Sequence, residues 1–389
     1  MVSKKSGGKN TIARKVVGNK KTNSHFLTKI KSLKLEHKLF YTLLITTLLL
    51  ASLNVAQAKG YFLPDHSGDL VTDGVVNLGD WTLEQKIAQM VITHGGSWNK
   101  EVWQKLQLGG IHLFAMETEE AYTQTINEFQ EEMEIPFFVT IDLEGCWNPL
   151  GNFYQTNSVS EIENIEDAYQ KGVDDGEVLS RMGFTINFAP VIDLEDLIWS
   201  CRAFPGAEEE VSELAEAYVE GLQSQGVMAT GKHYPGKTLV VDDPHQELVV
   251  AEIDSSDLYP YEYLSNEGEI ASFMVSHIIP VGEINSKGVP SVVSEEIVSS
   301  LKEDFDGLLI TDDTMMLGLR NFYENDIDQM YVDVFKAGND MIINFDEDPN
   351  EIYRMITVVA EAVRNEEISE EQIDASVTKI LVAKGFSVE

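Results

Sequence analysis

The sequence predicts a single parallel (β/α)₈ barrel of the TIM type, preceded by an N-terminal signal or anchor segment. Eight short apolar runs alternate with amphipathic stretches from residue 81 to the C-terminus, which is typical of a parallel α/β structure. Most of these runs are continuously apolar, as expected for strands buried on both faces. The sequence contains no GxGxxG or GxxxxGK[ST] motif, so the usual phosphate loops of open nucleotide-binding sheets are missing. Eight units therefore favour a closed barrel.

The N-terminal segment has the composition of an export signal. Residues 1–58 contain 11 lysines and arginines and one acidic residue, Glu36. An uncharged run from Leu39 to Leu53 follows, and Ala56-Gln57-Ala58 resembles a signal-peptidase site. We therefore expect an exported protein that is secreted, periplasmic or on the cell surface. The run is short for a membrane span, but an uncleaved anchor through residues 39–57 stays open as an alternative.

The rest of the chain is strongly acidic. Residues 59–389 contain 17 lysines and arginines against 64 aspartates and glutamates, which gives a net charge of −47. Such a surface repels nucleic acid and anionic lipid. The sequence has no calcium-loop, HExxH or Cys/His metal-site pattern. We therefore expect no nucleic-acid partner, no metal ion and no organic cofactor, and we expect a monomer.

The elements follow in order along the chain. Residues 59–80 are predicted to be a lead-in loop, and residues 81–389 are predicted to be one domain. Thr82, followed by Glu84 and Gln85, is typical of a helix start. The predicted strands are Met90–Thr93, Gly110–Phe114, Phe137–Ile141, Thr185–Ala189, Val227–Thr230, Ser272–Val275, Leu308–Thr311 and Asp340–Asn344. The clearest helical patterns are Glu208–Ser224, Ser294–Glu303 and Asn350–Asn365.

Five polar clusters follow these predicted strands. They are Asp142-Leu143-Glu144-Gly145, Asp193, Lys232-His233-Tyr234-Pro235-Gly236, His277 and Asp312-Asp313. Active sites of α/β barrels are built at the C-terminal ends of the strands, so the five clusters together predict one shared pocket. A single aspartate at such a place more often caps a helix than acts in catalysis, so no cluster alone identifies a site.

Eight segments, in the right order between residues 80 and 389, resemble one known family. They are Gly109–Phe114, Asp142–Gly145, Asn187–Asp193, Arg202–Phe204, Lys232–Gly236, Ala271–His277, Ile310–Met316 and Ala337–Asp340. Together they resemble glycoside hydrolase family 3, in its branch of single-domain β-N-acetylhexosaminidases. The resemblance implies a retaining enzyme that removes terminal β-linked N-acetylhexosamine, such as N-acetylglucosamine, from peptidoglycan- or chitin-derived oligosaccharides.

The resemblance also implies the catalytic residues. Asp312 matches the family's nucleophile, the first aspartate of a [ST]-D-D-x-x-M motif, and a carboxylate at a strand end is well placed to form a glycosyl-enzyme. Asp313 is the better candidate for capping the next helix. Asp243 and His245 match a D-[ST]-H motif whose histidine–aspartate dyad is the acid/base. Histidine titrates near neutral pH, which suits proton transfer.

Further positions match residues that bind the sugar in the family. Asp142, Arg202, Lys232 and His233 match positions that hold sugar hydroxyls, which charged groups bind by charge-assisted hydrogen bonds. His277 matches as a residue of the pocket floor, where it either contacts the sugar or has a structural role.

Two stretches depart from the family. Its usual H-G-D-T becomes Lys237–Val240, which leaves the behaviour of the dyad's loop open. Its D-x-E-G-G-R-V-x-R becomes Asp142–Leu150 without either arginine, which leaves the preference for a peptidoglycan fragment open. Trp147 in that stretch either stacks on a sugar face or packs in the core. Cys146 and Cys201 are expected in loops of one barrel face, where a disulfide would brace the pocket rim.

Two alternatives to the N-acetylhexosaminidase hypothesis stay open. The same scaffold suits a β-glucosidase or a glycoside phosphorylase, although the acidity of the chain disfavours phosphate. A non-catalytic cell-surface sugar-binding protein is the other alternative. The altered loop and the lost arginines support it, whereas Asp312, Asp243 and His245 argue against it.

Overall fold

The computed structural model describes residues 34–68, 70–72, 74–131, 133–238, 243, 245–266 and 269–389. The chain divides into two compact units after Gln57. The first contains helix α1, Leu35–Ala58, except for its last residue, and most of the basic region that precedes the helix lies outside the described residues. Its stretch His37–Ala58 has a mean hydropathy of 1.9 and is long and apolar enough to cross a membrane. A signal sequence and an anchor both have these properties.

The second unit, Ala58–Glu389, is built of alternating strands and helices. Its strands are β1 Val75–Val76, β2 Val91–His94, β3 Gly110–His112, β4 Phe138–Ile141, β5 Ile186–Asn187, β6 Met228–Tyr234, β7 Val250–Ile253, β8 Ser272–Val275, β9 Ile279–Gly282, β10 Leu308–Thr311, β11 Ile342–Ile343 and β12 Ser387–Val388. Its helices are α2 Leu83–Gln89, α3 Lys100–Leu106, α4 Glu119–Gln130, α5 Ile165–Met182, α6 Glu208–Ser224, α7 Ser255–Asn266, α8 Glu295–Asp304, α9 Leu317–Phe322, α10 Ile327–Lys336, α11 Pro349–Arg364 and α12 Glu370–Ala383.

Eight of these strands form one parallel barrel. Their order around the sheet is β10, β8, β6, β5, β4, β3, β2 and β11. A parallel bridge between Ile310 and Met341, with a hydrogen bond of 2.9 Å from the Thr311 N–H to the Met341 carbonyl, joins β10 to β11. The predicted fold class is therefore confirmed, and each of the eight predicted strands overlaps one strand of the barrel.

The strand boundaries lie within two residues of the prediction with one exception, and the predicted lead-in loop contains a strand. The predicted strand Val227–Thr230 continues to Tyr234, so Lys232 and His233 lie on β6 and not after it. Charged side chains normally mark the end of a buried strand, but here carboxylates neutralise Lys232 within the barrel. The predicted lead-in loop, residues 59–80, contains β1, which pairs with β12.

Helix α2 begins where the sequence places it. The Thr82 hydroxyl accepts the Gln85 N–H at 3.2 Å, and the Gln85 side chain accepts the Thr82 N–H at 2.8 Å. This reciprocal capping box satisfies two backbone donors that the first helical turn leaves unpaired. It fixes the point at which the chain enters the barrel.

Candidate active site

A cavity of about 670 Å³ opens at the C-terminal ends of the barrel strands. Seven of the residues that the sequence assigns to the site line it: Asp142, Trp147, Arg202, Lys232, His233, His245 and Asp312. These residues come from four different strands and their loops, so the barrel geometry brings together side chains that are up to 170 positions apart in the sequence. The pocket expected from the strand-end clusters is therefore present, and three of the five clusters line it, whereas Asp193 and His277 do not.

Lys232 is the centre of a buried ion-pair network on one wall. Its Nζ lies 2.5 Å from Asp142 Oδ1 and 2.6 Å from Glu144 Oε1. Arg202 binds the same Glu144 carboxylate through Nε at 2.5 Å and a terminal nitrogen at 2.9 Å. Burial disfavours the charged form of Glu144, but Lys232 and Arg202 outweigh it and lower the pKa of Glu144 to about 2. Glu144 therefore stays ionised and holds both cations in position.

Asp142 is the more exposed carboxylate of this wall, with 28% of its side chain exposed. Burial lowers the pKa of Lys232, but Asp142 and Glu144 outweigh that effect and the net shift is upward. A charged lysine beside a partly exposed carboxylate presents a donor and an acceptor to the same ligand. Such a pair suits two neighbouring sugar hydroxyls.

His233 is oriented by a buried carboxylate. Its Nδ1 lies 2.9 Å from Asp193 Oδ2, and the Thr238 hydroxyl donates to the same oxygen at 2.5 Å. Thr238 also lies 3.0 Å from His233 Nδ1. Because Nδ1 is engaged, Nε2 is the ring nitrogen left for a ligand in the cavity.

Asp312 immediately follows β10 and is partly exposed to the cavity. Its own N–H donates to the Val275 carbonyl at 2.9 Å, and its Oδ1 accepts the Asp313 N–H at 2.8 Å. Burial alone raises the pKa of Asp312, but His277, His233 and His245, with that N–H, outweigh burial and lower it. An ionised carboxylate at this position is chemically suited to act as a nucleophile.

The sequence made Asp313 the better candidate for capping the next helix, and this expectation is wrong. Helix α9 has Met316 as its N-cap residue, without a side-chain cap, and Asp313 instead stabilises the turn before that helix. Its Oδ1 accepts the N–H of Met315 at 3.0 Å and the N–H of Phe345 at 3.3 Å. Burial raises the pKa of Asp313 to about 6; the two N–H groups oppose this shift and the neighbouring Asp312 adds to it. Two adjacent aspartates therefore have opposite pKa shifts.

His245 and Asp243 form a close pair at the mouth of the cavity. His245 Nδ1 lies 2.6 Å from Asp243 Oδ1, which also accepts the His245 N–H at 3.0 Å. The His245 side chain is 52% exposed. A carboxylate on Nδ1 orients the ring and leaves Nε2 to exchange protons with a ligand. In the altered stretch Lys237–Val240, Leu239 and Val240 lie outside the described residues.

The start of this loop is anchored by ion pairs. Lys237 Nζ lies 2.9 Å from Asp254 Oδ2 and 3.0 Å from Asp257 Oδ2. It also donates to the Glu252 carbonyl at 2.8 Å, which belongs to β7 of a small parallel sheet formed with β9. These contacts fix the chain near the point where it leaves β6.

His277 does not line the cavity. It is buried, and its Nε2 lies 2.9 Å from the Asp313 carbonyl. This geometry favours the structural interpretation of His277, because the ring supports the turn that carries Asp312 and Asp313. Trp147, in contrast, lines the cavity with 59% of its surface exposed, so core packing is the wrong interpretation for this residue.

Cys146 and Cys201 are joined by a disulfide with a Cα–Cα distance of 6.2 Å. The bond connects the loop after β4 to the loop that precedes α6. Trp147 and Arg202, each adjacent in sequence to one of the cysteines, line the same cavity. The hypothesised bond is thus present at the rim of the pocket.

Comparison with known proteins identifies the family. The model described as "Glycosyl hydrolase family 3 N terminal domain" matches residues 82–383. The chain belongs to glycoside hydrolase family 3. A β-hexosaminidase of Idiomarina loihiensis is 28% identical to this glycoside hydrolase over 241 residues, which are 58% of this chain and 72% of that protein. A β-N-acetylglucosaminidase/β-glucosidase of Cellulomonas fimi is 27% identical over 309 residues, 72% of this chain and 52% of that protein, so about half of that relative's length is matched.

Solved structures of the family share the fold of this hydrolase. A family 3 β-N-acetylglucosaminidase from Paenibacillus superimposes with a TM-score of 0.72 at 24% identity, over 78% of this chain and 62% of that one. A β-N-acetylhexosaminidase from Beutenbergia cavernae has a TM-score of 0.70 at 20% identity, over 79% of this chain and 99% of that one. At these identities the comparison establishes the barrel.

Several residues of the family 3 site were not singled out from the sequence. Glu144 was noted only as part of a motif, although its spacing of two from Asp142 was a usable signal. His94 ends β2 and pairs with Glu347 at 2.7 Å, and both line the cavity. His94 also lies at the C-terminal end of a strand, but no motif accompanies it in the sequence. Trp199, two positions before Cys201 in the sequence, also lines the cavity. It belongs to no motif that would have predicted this.

The charged side chains of this family 3 cavity are paired with one another or with backbone N–H groups. Within the described part of the chain, no group of three or more histidine, cysteine or carboxylate side chains is arranged to hold a metal ion. The carboxylates of the cavity are instead neutralised by lysine and arginine or oriented by backbone N–H groups. This arrangement favours binding of a hydroxylated organic ligand.

Proposed function

We propose that this glycoside hydrolase removes terminal β-linked N-acetylhexosamine, foremost N-acetylglucosamine, from peptidoglycan- or chitin-derived oligosaccharides with retention of configuration. One observation carries the proposal: the expected nucleophile, Asp312, and the expected acid/base, His245, line one cavity together with the sugar-binding wall around Lys232. The names of the relatives support the substrate class, since one 33% identical over 165 residues is also called a β-hexosaminidase.

In the first step the ionised Asp312 attacks the anomeric carbon of the bound sugar. The bond from that carbon to Asp312 forms while the bond to the leaving-group oxygen breaks, and protonated His245 gives its Nε2 proton to that oxygen. Asp243 keeps the ring in place through Nδ1 and stabilises its positive charge. The products of the step are a glycosyl-enzyme and a leaving group that has gained one proton.

In the second step a water molecule attacks the same carbon. Neutral His245 accepts a proton from the water, the new carbon–oxygen bond forms, and the bond to Asp312 breaks. Two inversions return the sugar in its original configuration. His245 is again protonated, so the cycle closes without any added reactant other than water.

In this proposal the sugar itself is held by the ion-pair network around Lys232. Lys232 and Asp142 bind adjacent hydroxyls, and His233 contributes Nε2. Arg202 contributes the donors that Glu144 leaves unused, because a guanidinium has five N–H groups and only two bind that carboxylate. Charge-assisted hydrogen bonds that strengthen toward the transition state accelerate the reaction and do not only tighten binding.

Water is favoured over phosphate as the acceptor. A structural neighbour named β-glucoside phosphorylase has a TM-score of 0.68 at 20% identity, which bears on the fold alone. In this cavity Lys232 and Arg202 are both paired with carboxylates, and Asp312, Asp313 and Glu347 add further acidic groups. Such a lining repels an anion.

An exported location belongs to the same proposal. Helix α1 has the length and hydropathy of a signal sequence or an anchor, and the chain carries a disulfide, which persists in oxidising compartments. Cell walls and chitin themselves lie outside the cytoplasm. The location and the substrate class therefore support each other.

Hydrolysis of 4-nitrophenyl β-N-acetylglucosaminide, with the β-glucoside in parallel, tests the proposal. The wild-type protein should prefer the acetylated substrate and release the β-anomer first, as seen by proton NMR. Asp312→Asn should lose about 10³-fold or more in kcat, since a missing nucleophile is not replaced by its neighbours. Asp304→Asn removes an exposed carboxylate at the end of α8 and is the matched control. Preference for the glucoside would refute the substrate assignment, and an active Asp312→Asn would refute the nucleophile.

A further inference from the structure

Three of the five tryptophans of this protein are exposed, and all three follow barrel strands on the side where the cavity opens. Trp98 and Trp147 are each 59% exposed and Trp199 is 37% exposed, whereas Trp81 and Trp103 are buried. Trp147 and Trp199 line the cavity. Large aromatic surfaces left in water at the mouth of a cavity indicate a binding function.

Trp199 is held rigidly in its loop. The Asp196 carboxylate accepts three backbone N–H groups of the loop: Trp199 at 2.8 Å, Cys201 at 3.0 Å and Arg202 at 2.8 Å. The Arg202 guanidinium lies 4.9 Å from the centre of the Trp199 ring, and Glu144 fixes that guanidinium in turn. The indole is therefore preorganised before any ligand arrives, which reduces the entropy cost of binding.

Trp147 belongs to the loop at the other end of the disulfide. It directly follows Cys146, which is bonded to Cys201, and its carbonyl accepts the Glu144 N–H at 3.0 Å. Trp147 is thus one position from Cys146, and Trp199 is two positions from Cys201. The covalent bond limits how far the two loops, and with them the two indoles, move apart.

The position of Trp199 relative to the acid/base identifies the part of the substrate that meets it. Its ring packs edge-on against the His245 ring at a centroid distance of 6.1 Å. In the proposed mechanism His245 protonates the oxygen of the departing group. That group therefore passes directly beside Trp199.

We propose that Trp147 and Trp199 form a disulfide-braced leaving-group subsite that binds a neutral pyranose residue by stacking on its apolar face. This subsite deepens the proposed function and rests on it. Aromatic rings pair with the C–H faces of sugars, and the two indoles provide that surface. The cations nearest to the subsite, Arg202 and Lys232, are neutralised by the two carboxylates Glu144 and Asp142. A leaving sugar with a free carboxylate is therefore disfavoured, so within the proposed function the subsite favours chitin-derived substrates over peptidoglycan fragments whose leaving sugar is ionised.

The test compares two substrates that differ only in their leaving groups. The leaving group of N,N′-diacetylchitobiose is a neutral pyranose. The leaving group of N-acetyl-β-glucosaminyl fluoride is a fluoride ion, which is too small to reach the subsite. The quantity measured is the ratio of the two kcat/KM values. For Trp147→Ala and Trp199→Ala we expect this ratio to fall by about 10- to 100-fold, which corresponds to one lost stacking contact of roughly 1–3 kcal/mol.

Two further variants make the test specific. Trp199→Phe keeps an aromatic ring and should retain most of the ratio, which a merely structural role of the indole N–H would not predict. Trp98→Ala removes an equally exposed tryptophan that does not line the cavity, and its ratio should equal that of the wild type. The double variant Cys146→Ser/Cys201→Ser should lower the ratio in the same direction as the tryptophan variants, provided that its circular dichroism shows a folded protein.

The outcomes separate this subsite from the proposed function. Hydrolysis of both substrates with an unchanged ratio in Trp147→Ala and Trp199→Ala would overturn the subsite and leave the proposed function standing. Failure of the wild type to hydrolyse either substrate would overturn the proposed function, and the subsite with it. A wild type that prefers a disaccharide with a carboxylated leaving sugar would overturn the neutral character of the subsite. Two reactive thiols in the denatured, unreduced protein would remove the disulfide from the proposal.

Discussion

Carboxylates that look equivalent in the sequence differ in the folded cavity because their neighbours differ. Glu144 lies between Lys232 and Arg202, and its pKa falls to about 2. Asp313 is buried next to another aspartate, and its pKa rises to about 6. Asp312 has histidines nearby, and its pKa is lowered. Active sites that use acid/base and nucleophilic chemistry typically contain neighbouring carboxyl groups whose pKa values are shifted in opposite directions.

Asp313 gives a prediction about stability. We expect Asp313→Asn to stabilise the fold by about 1–2 kcal/mol at pH 8. Each unit of pKa shift corresponds to about 1.36 kcal/mol, and part of this gain is lost because a neutral acceptor forms weaker hydrogen bonds than a carboxylate. Its pKa is raised from 3.8 to about 6 in the folded state, so the folded protein binds this proton more tightly than the unfolded chain. The stabilising contribution is thus fully present below about pH 4 and is lost as the pH rises through about 6.

Urea unfolding of wild type and Asp313→Asn at pH 4.5, 6 and 8 measures this effect. The asparagine side-chain oxygen can still accept the N–H groups that Asp313 binds, so the two proteins differ mainly in charge. The advantage of the variant should grow with pH and level off above about 7. Asp304→Asn serves as the exposed control, and an advantage of equal size at all three pH values would show that charge is not its origin.

Most of the residues that the sequence assigned to the site line the cavity, but the contacts between them were not predictable. Asp312, His245, Lys232, Asp142 and Arg202 were found through motifs and strand ends, because chemistry restricts the residue types at those places. The contacts between Arg202 and Glu144 join positions 58 apart in sequence, and no local pattern reports such a distance. His277 follows a strand as the others do, but its ring turns under the Asp313 carbonyl and away from the cavity.

At the scale of elements, helices α5 and α6 pack through glycines. A Cβ atom on Gly172 would lie 2.2 Å from the Tyr218 carbonyl oxygen, and one on Gly221 would lie 2.2 Å from the Tyr169 carbonyl oxygen. Both obstacles are backbone atoms, which cannot move without shifting a helix. The two helices bracket β5 in the sequence, so their spacing helps to set the position of the loops after β4 and β5.

Gly221→Ala is expected to destabilise the protein by about 2 kcal/mol or more, the upper part of the range for overpacking a tight contact. In an ordinary exposed helix the same change stabilises by up to about 1 kcal/mol because of helix propensity, so the sign of the effect reports the contact. Thermal and urea unfolding measure it. Gly68→Ala is the control, because a Cβ atom there meets nothing within 4 Å. A more stable Gly221→Ala protein would contradict the close approach of the helices.

The strands were predictable as elements because burial on both faces leaves a continuous apolar run, and a run such as Leu308–Thr311 has the same boundaries in the structure. The boundary of β6 was not predictable, since Lys232 and His233 are polar and still lie on the strand. Their burial is possible only because Asp142, Glu144 and Asp193 come from neighbouring strands and loops. Tertiary ion pairs thus overrode a local rule.

At the scale of the whole molecule, charge is divided unevenly along the chain. Residues 59–389 carry a net charge of −47, and the barrel unit must therefore fold against strong repulsion between its own carboxylates. Individual ion pairs relieve this locally, as where Lys86 lies 2.7 Å from Asp374 and 3.0 Å from Glu370. With 64 acidic residues and only 17 lysines and arginines, most acidic residues have no cation to pair with.

This imbalance predicts how the barrel responds to salt. The melting temperature of residues 59–389 should rise by about 5 °C or more between 0.05 and 1 M NaCl, since the Debye length falls from roughly 14 Å to about 3 Å and like charges are screened over most of the surface. The same screening weakens exposed ion pairs, but such pairs contribute only about 0–1 kcal/mol each. Scanning calorimetry at pH 7.5 measures the change. At pH 4.5 many carboxylates bind protons, so the rise in melting temperature with salt should be smaller there. A melting temperature that falls with salt at pH 7.5 would mean that the ion pairs, and not the net repulsion, dominate the electrostatics of this surface.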